Sequence, residues 1–470
     1  MKIEQIYTGC LAEAAYYIES NGEAAIIDPL REVGTYLKKA EKAGAKIKYI
    51  FETHFHADFV SGHVDLAEKS GAEIIYGPTA KTAFKSHIAR DGEQFKIGKV
   101  TITALHTPGH TLESTTYLLT DENGKDHCIF SGDTLFIGDV GRPDLAQKGE
   151  LTMEDLAGML YDSLNHKIKP LADDVIVYPA HGAGSACGKS MSKETFDTLG
   201  HQKEVNYALK ASTKEQFIKE VTDGIMPPPQ YFSKNAAINK GGVESIEEVF
   251  EKGLNALIPQ AFEDTANQTG AILLDTRDPQ VFAKGFIPNS INIGLNGQFA
   301  PWVGALITDL QQPILLITEE GKAEETITRL TRVGYDNTIG YLDGGFESWI
   351  AAGKEIDTIE SISATAFETA ASEAEVIALD VRKPGEYESE HLEFTLSRPL
   401  DYIDDWMSEI DPKSTYYIHC AGGYRSMIAA SILKSRGVEN VIDVAGGYGA
   451  IKGTNLKRTD FACPSKAMKV

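Results

Sequence analysis

Residues Thr53–His63 read THFHADFVSGH and stand one residue beyond the β-rich run IKYIF, Ile47–Phe51. Within ten residues this stretch offers His54, His56, Asp58 and His63. A strand end fixes the backbone, and the loop beyond it can turn alternate side chains toward one point. Imidazole and carboxylate together suit Zn, Fe, Mn or Ni, and the lack of cysteine ligands argues against a purely structural zinc site.

Working outward, three more β-rich runs end in loops that carry ligand-type residues. VTITALHTPGHT brings His106 and His110, HCIFSGDT brings Asp133, and DVIVYPAHG brings Tyr178 and His181. A single histidine is ordinarily a core or surface residue. Four strand-end loops that each present a ligand type are explained more economically by one shared metal. His63, His87, His106, His127, His166 and His201 are assigned to packing or surface. Around these loops, AAYYIES-NG-EAAIIDP reads as a hairpin turning at Asn21-Gly22. Helical patterns cover Val33–Ala43 and Gly62–Ser70. MPPPQYF, with Pro227, Pro228 and Pro229, reads as the end of this domain.

The remaining chain contains a duplication. ILLDTRDPQVFAKGFIPNSINI around Asp275 parallels IALDVRKPGEYESEHLEFTLSRPL around Asp380. PILLITEEGKAEETI parallels YYIHCAGGYRSMIAA, and YLDGGFESWIAAG parallels DVAGGYGAIKG. The offsets, 105 for Asp275/Asp380, 101 for Glu319/Cys420 and 102 for Gly345/Gly447, are nearly constant. Each copy alternates strands and helical runs, the pattern of a small α/β domain with a largely parallel sheet. Gly353–Glu375, rich in Ala, Ser, Thr and Glu, is expected to link them.

In the second copy, CAGGYR (Cys420–Arg425) sets a thiol before small residues and an arginine. Such a loop points backbone N–H groups inward as an anion nest, and these with Arg425 favour the nucleophilic thiolate. The first copy has Glu319 in the cysteine's place and Glu324 in the arginine's. A carboxylate offers no thiolate nucleophile, so this copy is expected to be catalytically inert.

Composition sets outer bounds. A chain of 470 residues exceeds one core, so two to four domains are expected. It is 42% hydrophobic and 24% charged, with no run of apolar residues long enough to span a bilayer. A net charge of −23 argues against nucleic acid or an anionic membrane as partner. Five cysteines, an odd number without a C-x-x-C, form neither a disulfide framework nor a zinc ribbon. Free thiols and no evident signal peptide point to the cytoplasm. Cys10, Cys128 and Cys463 are assigned to packing.

With its HxHxD loop and later His, Asp and His in order, the N-terminal part resembles the metallo-β-lactamase superfamily over roughly residues 1–240. The motif's final histidine is Phe59 in this chain, which disfavours a second metal. Within that superfamily it is most similar to persulfide dioxygenases. The resemblance implies one Fe(II) per chain on His54, His110 and Asp133, zinc being the alternative. A facial triad leaves positions open for sulfur and O2. His56, Asp58, His181 and Tyr178 would orient ligands or bound oxygen by hydrogen bonds. Arg142 in GDVGRPDL is read as a contact for a carboxylate of the thiol carrier, or else as an ion pair with Asp144. Cys187 in HGAGSACGKS, beside Lys189, is read as exposed, activated and able to contact sulfane sulfur.

CAGGYR, LDVR at Leu379–Arg382, Tyr387 and the VAGGY turn resemble rhodanese sulfurtransferases. Cys420 and Arg425 would be catalytic, with Ala421, Gly422, Gly423 and Tyr424 lining the substrate. The expected architecture is therefore a multidomain α/β chain. An αβ/βα metallo-β-lactamase sandwich (1–242) precedes a Cys-less rhodanese-like domain (243–355) and an active one (359–470). The expected reaction takes a thiol persulfide of the glutathione or coenzyme A type, with O2, to sulfite and free thiol. Sulfur transfer through sulfite or thiosulfate would follow at Cys420. A zinc thioester hydrolase of the glyoxalase II kind and a sulfur-trafficking scaffold are the rivals, and a homo-oligomer is left open.

Overall fold

The computed structural model describes residues 1–147 and 151–462. Cys463 lies outside them. The chain forms two compact units, Met1–Ile246 with Leu330–Gly334, and Glu247–Arg329 with Tyr335–Val470.

The first unit is built on two six-stranded sheets. One holds β1 (Lys2–Thr8), β2 (Glu13–Ser20), β3 (Glu23–Ile27), β4 (Lys46–Phe51), β5 (Glu73–Tyr76) and β6 (His87–Ile88), in that order. The other holds β7 (Gln94–Ile97), β8 (Val100–His106), β9 (Thr115–Thr120), β10 (Asp126–Gly132), β11 (Ile176–Pro179) and β12 (Asp197–Thr198). Tyr16, Ile18, Ile27, Phe51 and Ile75 of the first sheet meet Ile102, Tyr117, Leu119 and Phe130 of the second. The two-residue period of a strand turns Ala15, Tyr17, Ile26 and Ile50 to the opposite face. There they pack on the helices Gly34–Ala43 and His63–Ser70. On the far side Ile129 and Val177 pack on Leu160, Leu164 and Phe217, so both sheets carry helices on their outer faces. Each of these isoleucine, leucine, valine and phenylalanine side chains, once buried, contributes about 1.5–3 kcal/mol.

The Asn21-Gly22 turn has φ of 50° and 80° and joins β2 to β3 with Ser20 opposite Glu23. Positive φ at both positions is the primed turn that the dipeptide predicts. The ligand-bearing loops leave the ends of β4, β8, β10 and β11, as expected. The triple-proline segment is followed by one more helix of the same unit, Phe232–Gly241.

In the second unit the duplication becomes two five-stranded sheets. The first comprises β13 (Ala256–Leu257), β14 (Ile272–Asp275), β15 (Ile291–Asn292), β16 (Ile314–Ile317) and β17 (Thr338–Leu342). The second comprises β18 (Glu360–Ile362), β19 (Ile377–Asp380), β20 (Leu396–Ser397), β21 (Tyr416–His419) and β22 (Val441–Val444). Their orders, β13-β17-β16-β14-β15 and β18-β22-β21-β19-β20, are the same, and the pairings are parallel throughout.

The expected linker Gly353–Glu375 is corrected: it contains β18 and the helix Ala364–Glu373. Ser363 caps that helix by accepting from the Ala366 N–H, and Ala364 and Phe367 enter the core. Its alanines and glutamates are helix formers, and its polarity is that of a solvated face. Among the described residues no helix is long and apolar enough to cross a membrane.

Candidate metal centre and cysteine loop

The four strand-end loops of the first unit bring His54, His110, Asp133, Asp58 and His181 together, all buried. His54 Nε2 lies 3.9 Å and His110 Nε2 3.4 Å from Asp133 Oδ2. His181 Nε2 is 3.5 Å from both Asp58 Oδ2 and Asp133 Oδ1.

The opposite ring nitrogens are already engaged. His54 Nδ1 is 3.0 Å from the Thr53 hydroxyl, and His110 Nδ1 donates to the Arg142 carbonyl at 2.8 Å. Meanwhile His54 Nε2, His181 Nε2 and both Asp133 oxygens are buried without a hydrogen-bond partner. Orphaned inward atoms on clamped rings are what a cation would satisfy, so the residues fit a metal. Burial pushes the His54 imidazole well below its ordinary pKa, with His56, His110 and His181 adding to the effect. The neutral ring can donate a lone pair.

His56 differs. Its Nε2 is 3.1 Å from Asp28 Oδ1 and 3.6 Å from Glu52 Oε2. Burial opposes a charge there, but Asp28 outweighs it, aided by Glu52 and Asp58, and raises the pKa to about 10. Phe59 is fully buried, its ring 4.3 Å from that of His56. The position at which the family motif carries its final histidine is thus a buried apolar ring that offers no ligand atom. His56, Asp58 and His181 nonetheless form a second grouping of possible ligands.

Three expected contacts are corrected. Tyr178 faces the sandwich interior, stacked on Phe130 at 5.7 Å and beside Tyr16, because strand alternation in β11 sends it to the core. The Arg142 guanidinium is held by Asp144 at 2.6 and 2.7 Å and by the Ala186 and Met226 carbonyls, so the ion-pair reading holds. Lys189 donates its ammonium to the Glu220 and Asp223 carbonyls and does not approach Cys187 as an activating cation.

Cys187 is buried, not exposed, and it groups with Asp133 and His181. Burial pushes its thiol pKa well up, with Asp58 and Asp133 adding to the rise. Of the remaining histidines, His87 and His201 pair with Glu93 and Asp197 near the surface, while His63 lies 3.4 Å from buried Glu52.

Sequence reasoning missed several supports. Asp28 accepts from the Thr53 N–H and hydroxyl, both at 2.8 Å, and a lone Asp ending IIDP was the available signal. Asn239 donates to the His56 and Phe59 carbonyls at 2.8 Å and accepts from Ser61 N–H, tying the whole loop; nothing in its surroundings marked it. Asp139 accepts from the N–H groups of Lys189 and Ser190 and from the Tyr207 hydroxyl, holding the segment after Cys187.

In the second unit Cys420 follows β21 and precedes the helix Tyr424–Ser435. Its Sγ accepts from the Gly423 N–H at 3.1 Å. Ser426 lies 3.7 Å from that sulfur and donates to Asp443 at 2.7 Å. The Arg425 guanidinium makes a two-pronged pair with Glu386 at 2.6 and 2.9 Å. Burial alone would raise the Glu386 carboxyl, but Arg425 outweighs it and holds the pKa below its ordinary value of 4.5. At the corresponding loop of the other copy Glu319 and Glu324 are exposed. Arg277 grips Asp275, and Arg382 grips Asp380, each closing at 2.6 Å.

Residues 8–181 match the metallo-beta-lactamase superfamily, and 259–352 and 363–454 each match the rhodanese-like domain. A crystal structure of a Staphylococcus aureus metallo-beta-lactamase is 31% identical with a TM-score of 0.64, over 73% of this chain and 98% of that one. A probable hydroxyacylglutathione hydrolase of Schizosaccharomyces pombe is 32% identical over 42% of this chain and 74% of its own. The mitochondrial persulfide dioxygenase of Homo sapiens is 29% identical over 44% and 74%.

This chain belongs to the metallo-beta-lactamase superfamily. More particularly, it joins a persulfide dioxygenase-like N-terminal domain to two rhodanese-like domains. Relatives and domains together support an enzyme of sulfur metabolism that uses a metal and small sulfur compounds.

Proposed function

We propose that the first unit oxidises a low-molecular-weight thiol persulfide with O2, using one iron held by His54, His110 and Asp133. The reaction balances as RSSH + O2 + H2O giving RSH, sulfite and two protons. The observation that carries the reading is the convergence of two clamped imidazoles on an unpartnered, buried Asp133. Two histidines and a carboxylate are the donor set of non-haem iron oxygenases. Bound there, Fe(II) would supply a place for the persulfide sulfur and the means to reduce O2.

The chain's own residues hold that set in place. Thr53 and the Arg142 carbonyl fix the rings, Asp58 and His181 flank Asp133, and burial keeps bulk water from the reacting sulfur. Cys187, at the same spot, would contact the sulfur as a neutral thiol. In the second unit Cys420 would carry sulfane sulfur, its thiolate stabilised by the Gly423 N–H.

A zinc-dependent thioester hydrolase is the second reading, because hydroxyacylglutathione hydrolases match at the same level of identity. Purified protein should contain iron near one per chain and consume O2 with glutathione persulfide, without hydrolysing S-lactoylglutathione. Zinc with hydrolysis and no O2 uptake would reverse the order of the two readings. His110→Ala should lower O2 consumption by at least about a hundredfold, the scale of losing a metal-holding group.

A further inference from the structure

Cys420 opens into a pocket of about 370 Å³ whose lining is not confined to its own copy. Gln298 and Trp302, from the Cys-less copy, line it together with Lys383, Glu386, Tyr424 and Arg425. The two copies of this unit are fastened at that point. The Tyr424 hydroxyl donates to the Gly294 carbonyl at 2.7 Å. A side chain at Gly297 would come within 2.7 Å of the Tyr424 ring.

Three features bear on what the pocket takes. Its volume lies in the range that encloses a small organic molecule and exceeds the need of one tetrahedral anion. Arg425, expected to favour the Cys420 thiolate, is already paired with Glu386 through both terminal guanidinium nitrogens. The cation left uncommitted among the described lining residues is Lys383, whose ammonium makes no ion pair, and the indole of Trp302 supplies an apolar face.

We propose that the Cys-less copy supplies part of the acceptor site for Cys420, with Trp302 and Gln298 as specificity-determining residues. They form the wall for the body of a small carboxylate-bearing thiol, and Lys383 meets its carboxylate. The inference rests on Cys420 being the sulfur-transfer nucleophile. Thiosulfate loads the site: the Cys420 thiolate attacks its outer sulfur, a new S–S bond forms, and sulfite leaves with the electron pair. The acceptor thiolate then attacks the outer sulfur of the Cys420 persulfide. The bond to Cys420 Sγ breaks, the organic persulfide departs, and the electron pair returns to the Cys420 thiolate beside the Gly423 N–H. No oxidant is needed. The copy without a thiol thereby gains a role in choosing the acceptor.

The test uses the full-length protein with thiosulfate as donor and three acceptors: cyanide, glutathione and glutathione diethyl ester. The wild type should prefer glutathione to its ester. Trp302→Ala and Gln298→Ala should lower the glutathione-to-cyanide ratio of kcat/KM, by about tenfold for Trp302→Ala, through KM for glutathione, and Trp302→Phe should restore most of it. Lys383→Gln should erase the preference for glutathione over the ester. A ratio unchanged in all variants, or the two acceptors falling in proportion, would overturn the proposal. So would a wild type that uses cyanide but not glutathione. Should Trp302→Ala fail to fold, the exposed Gln298 and Lys383 variants decide the matter. A wild type that transfers sulfur to neither acceptor would instead sink the sulfur-transfer reading itself.

Discussion

At the scale of single residues, the centre depends on positions that carry no reactive group. A Cβ at Gly141 would collide with the Asp133 carbonyl and stand 3.0 Å from His110 Nδ1. Gly141→Ala should therefore move two of the three proposed ligands at once, and metal content after purification should fall by about tenfold or more, as when a ligand's support is lost. Glu386 makes a different prediction. A carboxyl whose folded pKa is depressed contributes stability above its unfolded value, and that contribution is lost as pH falls through the folded one. Glu386→Gln should thus be less stable than wild type at neutral pH. The gap should close as the pH drops through the folded pKa, which lies below the ordinary 4.5. Urea unfolding of both proteins across that range measures it. A gap that widened toward acid would contradict the pairing. The ligand-type residues were legible in the sequence because strand-end His and Asp residues are rare enough to count. Gly141 and Asn239 were not, because their importance lies in what they approach and not in their chemistry.

At the scale of elements, strand identity and loop position followed from local pattern. The β-rich runs ending in HFHAD, TPGHT, SGDT and PAH became β4, β8, β10 and β11 with their loops at one edge. What local pattern could not show was direction across the sheet. Tyr178 sits three residues from His181, yet alternation points it into the sandwich. The charges near Cys187 were misread for a related reason: proximity in sequence put Lys189 beside it, while folding put Asp58 and Asp133 there instead. The helix Phe232–Gly241 has the opposite lesson, as its Asn239 closes the ligand loop from 180 residues away. Asn239→Ala would leave two buried carbonyls and one N–H unpaired, at about 1–3 kcal/mol each. The metal-free protein should melt lower than wild type, and iron should bind more weakly.

At the scale of the whole molecule, the two proposed chemistries fall on the chain's two compact units. Cys420→Ser should abolish sulfur transfer and spare O2 uptake, and His110→Ala should do the converse, each assayed on the intact protein. Residual sulfur transfer in Cys420→Ser would mean that the Cys-less copy is not inert. Domain order and duplication were plain from repeat offsets, whereas the contribution of Trp302 to the other copy's pocket was not, since it depends on packing between repeats. The duplication also offers an internal control on evolution. Both copies keep the same strand order and the same Arg–Asp clasp, Arg277 on Asp275 and Arg382 on Asp380. Only one keeps its thiol. A clasp that stands in the copy without the thiol does not need the thiol to account for it, so in both copies it reads as a support of the sheet. One chain thereby holds two versions of the same fold, and what the two share marks what the fold itself requires.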